Sequence, residues 1–113
     1  MKLPTQIPAK LRSSCLDLPG LVDGEGAWQK EDALAVLAVL TGTTVGVEAV
    51  VVFDRAPWGL APTERVWECD RLPGEGDPDY ARRSRLGAAR FIEEEIVENG
   101  VFVLAFPMRK DAA

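Results

Sequence analysis

An α+β fold is what this 113-residue sequence predicts, and three observations carry that reading. Apolar residues recur at helical spacing in two stretches, β-branched and apolar runs fill three others, and the order helix, strand, strand, helix, strand suits helices covering a three-stranded sheet. The length fits a single domain able to bury a core without staples.

Residues 1–27 are punctuated by Pro4, Pro8, Pro19, Gly20, Gly24 and Gly26, so this segment reads as irregular, with a helical turn or two around Leu11 and Cys15. From Gln29 to Leu40, "QKEDALAVLAVL" puts acids in the first turn and then Leu34, Leu37 and Leu40 on one face, which predicts a buried helix stopped by Thr41-Gly42. "VGVEAVVVF", residues 45–53, is apolar on both faces apart from Glu48 and predicts a central strand. "TERVWECD", residues 63–70, alternates and is charged, as an edge strand does. Between them "DRAPWGLAPT" reads as a ten-residue loop.

Asp77-Pro78 is a strong helix start, and a helix from there to Asn99 would stop at Gly100. Its apolar stripe is Tyr80, Ser84, Gly87, Ala88, Phe91, Ile92 and Ile96. "VFVLAF", residues 101–106, is the last strand, ended by Pro107. If the hairpin is antiparallel and the long helix returns the chain, the sheet order is 2-1-3, with the most apolar strand in the middle.

The charges of that second helix run backwards. Arg82, Arg83, Arg85 and Arg90 precede Glu93, Glu94, Glu95 and Glu98, against the sense of the helix dipole, at a cost of about a few tenths of a kcal/mol per exposed charge. Glu95 also falls on the apolar stripe, between Ser84 and Ala88 on the helical wheel. A helix end aimed at a basic partner accounts for both features.

The net charge of −5 sharpens between residues 17 and 79, where thirteen acids face four bases. Such a balance disfavours nucleic acid and anionic membrane and favours a basic partner. No apolar run is long enough to span a bilayer and no leader precedes Pro4, so the expected location is cytoplasmic. Cys15 and Cys69 have no metal or CxxC spacing and read as reduced thiols, with one disulfide as the alternative.

Histidine is absent, and with it the commonest general base and metal ligand. No nucleophile elbow, P-loop or zinc-protease motif is present, so neither an enzyme nor a cofactor or metal site is expected. Glu68 and Cys69 point to opposite faces of a strand, and a carboxylate disfavours a thiolate in any case.

One stretch carries a family likeness. Trp67, Cys69, a short acidic turn, and then Tyr80, Arg83, Ser84, Ala88, Phe91 and Ile92 on a helix resemble the immunity protein 40 family, small proteins encoded beside bacterial polymorphic toxins. The match is dense over about a quarter of the chain. The family's Gly-Gly-Asp group at the opening of its first strand reads Gly46, Val47, Glu48 here. The resemblance implies a non-enzymatic protein, monomeric or weakly dimeric, that binds and neutralises a cognate toxin domain. The alternative is a small-molecule-binding or enzymatic domain with a pocket near Arg83 and the Cys69 strand.

The candidate partner-binding residues are Trp58, Glu64, Glu68, Asp70, Arg83, Ser84, Glu94, Glu95 and Glu98. Trp58, between Pro57 and Gly59, has the character of an interface anchor. Arg83 flanks the helix stripe and can snorkel to a carboxylate of the acidic strand, and Ser84 can bond back to the Tyr80 carbonyl.

Overall fold

The computed structural model describes residues 3–96 and 99–107, in the order α1 (Ala9–Ser13), β1 (Glu25–Gln29), α2 (Lys30–Val39), β2 (Ala49–Ala56), β3 (Gly59–Glu68), α3 (Asp77–Glu94) and β4 (Gly100–Ala105). The α+β class holds. The sheet, however, has four strands in the order β1-β4-β2-β3, every pair antiparallel, where three strands were expected. The added strand begins in the segment read as irregular and ends at Gln29, the residue expected to open the first helix, which starts instead at Lys30. It pairs Ala27 with Val103 and Trp28 with Phe102, which makes β4 an interior strand like β2.

β1 escapes a periodicity test because Gly26, Ala27 and Trp28 are all buried, leaving no polar alternation to see. Trp28 is the largest side chain of the core, and its indole N–H donates to the Leu11 carbonyl at 2.8 Å, tying α1 to the sheet. α2 follows directly after Gln29 and buries Ala33, Val36 and Leu37.

The ten-residue loop is not a loop. Asp54 pairs with Ala61, Arg55 with Leu60 and Ala56 with Gly59, so the chain turns over Pro57 and Trp58 alone. Proline at the second position and glycine at the fourth suit such a turn, and Gly59 at φ +132° takes a conformation that side chains disfavour. The register with β4 ends at Asp54↔Gly100, followed by one bond from the Arg55 amide to the Asn99 carbonyl at 3.1 Å, so Ala56 to Gly59 form a two-stranded tip beyond it. Pro62 is tolerated because β3 is an edge strand. Opposite Val52 the β3 chain bulges through Thr63, Glu64 and Arg65; Glu64 sits at φ 65°, and the Thr63 hydroxyl donates to the Val52 carbonyl at 2.8 Å in place of a ladder bond.

The sheet has two unlike faces. Trp28, Val50, Val52, Phe102 and Leu104 pack under α2 and α3 in the main core, with half-buried Trp67 against it. The opposite face carries Ala27, Val101 and Val103, covered by Leu16, Leu18 and Leu21 of the segment before β1, with Val51, Phe53 and Leu60 alongside. No helix among the described residues is long and apolar enough to cross a membrane.

α3 starts at Asp77 after Gly76, one residue before the expected first turn, and stops at Glu94 instead of Asn99. Glu95 is already extended, at ψ 132°. Ile96, placed on the apolar stripe by the wheel, is 92 % exposed because the helix has ended before it.

Candidate functional site

Tyr80, Arg83 and Ser84 hold two pieces of backbone, at Val47 and at Cys69-Asp70, to the first turns of α3. The Tyr80 hydroxyl donates to the Cys69 carbonyl at 2.8 Å, and the Ser84 hydroxyl accepts from the Val47 amide at 3.0 Å while donating to the Ala81 carbonyl at 3.2 Å. Its partner inside the helix is therefore Ala81, not Tyr80. Burial together with the nearby Cys69 and Glu48 pushes the Tyr80 phenol up to about 12, so it remains a proton donor. Gly46 is needed here: a Cβ on it would stand 2.8 Å from both Ser84 Oγ and Tyr80 Cε2. Trp67 closes the same group from β3, its ring lying where a Cβ on Gly87 would fall, 2.6 Å from Cζ2.

Arg83 meets a carboxylate, but from the turn before α3 and not from the acidic strand. Its Nε and Nη2 donate to Glu75 at 2.8 and 2.7 Å, Nη2 also donates to the Asp70 carbonyl at 2.7 Å, and Nη1 lies 3.1 Å from Cys69 Sγ. That bidentate contact, with the Leu72 amide bond, pulls the Glu75 carboxyl down to about 2, and raises the Arg83 pKa in return. Arg71 lies over the Tyr80 ring at 4.6 Å and pairs with Asp77 at 2.9 Å. The acidic turn "DRLPGEGD" is thus folded onto basic α3 by charge.

Contacts of this kind answer part of the helix's reversed charge pattern. Arg85, buried enough to lower its pKa, donates from Nη1 to the carbonyls of Thr43 and Val45, at 3.0 and 2.7 Å, and fixes the connection after α2. The Val45 distance belongs to a second bond from the same nitrogen. At the other end, Glu95 is 3 % exposed and accepts from Arg65 Nε at 2.6 Å, an attraction that raises the Arg65 pKa. Lys30 Nζ donates to the carbonyls of Glu93 and Glu95 at 3.2 and 2.9 Å, supplying the cation that the C-terminus of α3 lacks in its own sequence.

The sequence-predicted site residues therefore separate into two kinds. Ser84, Arg83 and Glu95 have internal partners and hold the fold. Trp58, Glu64, Glu68, Asp70 and Glu94 are exposed. They do not form one patch: Trp58 marks the hairpin tip, Glu68 and Asp70 the far end of β3, and Glu94 the end of α3. Glu98 lies outside the described residues. Cys15 and Cys69 are free thiols, which removes the disulfide alternative. A cleft of ≈ 350 Å³ at that end is lined by Glu48, Glu68, Cys69, Asp70, Arg71 and Tyr80. Arg83 is not in its wall.

Sequence reasoning missed the helix-free face. Val51, Phe53 and Leu60 border a groove of ≈ 590 Å³ there, closed on its other side by Leu18 and Leu21. The signal was present in the alternation of Val51 and Phe53 with Val50 and Val52, since a strand apolar on both faces needs cover on both. Family models, curated proteins and solved structures yield no match to this chain.

Proposed function

We propose that this chain is a cytoplasmic immunity protein that binds and neutralises a basic toxin domain, with the β2–β3 hairpin as its principal contact. One observation carries the reading: Trp58 is 82 % exposed at the tip of a hairpin that extends beyond β4, on an acidic chain. A large apolar ring held out by a short turn has little conformational entropy to lose on binding, and charge complementarity speeds encounter. Glu64 and Glu68 on β3, and Asp70 just beyond its end, add to the acidic field. Support for the immunity type comes from the motif resemblance at Trp67, Cys69, Tyr80, Arg83 and Ser84.

Titrating the purified chain with the toxin domain encoded beside its gene tests this. Formation of a complex that Trp58→Ala weakens by about thirtyfold or more, the loss typical of an interface anchor, supports it. Absence of a complex, or equal binding by the variant, removes it.

The cleft at Cys69 and Tyr80 favours a second reading, a small-molecule site at the other end of β3. A metabolic gene neighbourhood, with no toxin gene adjacent, distinguishes it from the first.

A further inference from the structure

The groove on the helix-free face adds a specific seat to the partner-binding reading, on which this inference rests. We infer that it receives a leucine or aromatic side chain, flanked by lysine or arginine, from a basic protein partner.

Its walls are Leu18 and Leu21 on one side and Phe53 and Leu60 on the other, over a floor of Val51 and Val103. The volume of ≈ 590 Å³ lies within the range of pockets that hold small apolar groups. Glu25 is the charged residue of its lining, and its carboxylate is oriented by the Val22 amide at 3.2 Å. From Ser13 to Gln29 the chain carries neither lysine nor arginine, and exposed Asp17 accompanies Glu25 there. Across the sheet, Glu68 shares this face opposite Ala49, against Arg55 opposite Leu60. An apolar seat with an acidic margin selects an apolar side chain set among bases.

Charge also decides against a second copy. Two copies, each chain at a net charge of −5, would bring like charges together. Strand addition along β3 is hindered in addition by Pro62 and by the bulge at Glu64.

The test uses a probe independent of any toxin: the amidated, acetylated peptide Lys-Lys-Leu-Phe-Lys-Lys, with a control in which serines replace the two apolar residues. Methyl NMR of the full chain reads Leu18, Leu21, Val51, Leu60 and Val103. Saturable shifts at these methyls with the apolar peptide, absent with the control and weakened about tenfold or more by both Leu21→Glu and Leu60→Glu, support the groove, with Leu86→Glu on exposed α3 surface binding as the parent does. No saturable shift, or equal shifts with the serine control, overturns it. A chain that seats the peptide but forms no complex with the toxin retains the groove and loses the immunity reading. A chain that binds toxin but leaves these methyls unmoved by the peptide loses the groove.

Discussion

Replacing Gly87 by alanine should destabilise the protein, although the same change in an exposed helix stabilises it. Helix propensity favours alanine by about 1 kcal/mol. Against this, the new Cβ would stand 2.6 Å from Cζ2 and 3.3 Å from Cε2 of Trp67, where carbon contacts settle at about 3.5–4.0 Å. Trp67 packs against the main core and pairs through its backbone with Val50, so it gives way only by straining β3 or lifting α3. Overpacking of this kind costs about 1–3 kcal/mol, which leaves a net loss of about 0–2 kcal/mol. For a domain of this size the melting temperature should fall by up to about 8 °C. Thermal and urea unfolding followed by far-UV circular dichroism measure it, and a cycle with Trp67→Leu isolates the contact. In the Trp67→Leu background Gly87→Ala should become neutral or stabilising, a coupling of about 1 kcal/mol or more. If Gly87→Ala alone raises the melting temperature, the reasoning that α3 is seated on the Trp67 ring fails.

Ser84→Ala should cost about 1–3 kcal/mol because the buried Val47 amide loses its acceptor, while toxin affinity measured on folded protein stays unchanged. Glu95→Gln should lower the melting temperature and Glu94→Gln should not, since Glu95 alone of the two is buried against Arg65; equal effects would return Glu95 to the surface. The Glu75 carboxyl titrates lower in the folded than in the unfolded chain, so its contribution is complete above about pH 4.5 and disappears as pH falls toward about 2. An acid titration of stability should therefore be shallower in Glu75→Gln than in the parent over that window. A parallel pair of curves would remove the Arg83–Glu75 contact from the acid response.

Helix positions were legible because their signals are local. The acids opening α2, the proline opening α3 and the apolar spacing of both act within one or two turns, and the helices formed there. The early end of α3 was not legible. Nothing between Glu94 and Asn99 breaks a helix by propensity; the chain leaves it where Arg65 of β3 and Lys30 of α2 take hold of Glu95, two partners 30 and 65 residues away in sequence. The hairpin shows the reverse error. Proline and glycine were read as loop when they made a tight turn, because pairing of Asp54 with Ala61 and Arg55 with Leu60 depends on a ladder that begins at Ala49, five residues before Asp54.

By itself, the sequence determined the α+β class, the two helices, the edge character of β3 and the acidic surface, since each follows from residue chemistry read over a short window. Tertiary structure decided which charges are surface and which are joints. On a helical wheel Arg83 and Glu95 each stand 60 degrees from Tyr80, Arg83 flanking the apolar stripe and Glu95 upon it, and both meet internal partners brought near by folding. Trp58, read in a loop, and Trp67, read on a strand, also part company in space: one is 82 % exposed on a tight turn and the other seats a helix through Gly87. The physical reason is range: propensity and periodicity act along the chain, whereas burial and ion pairing depend on distances that exist only once β4 has returned to lie between β1 and β2.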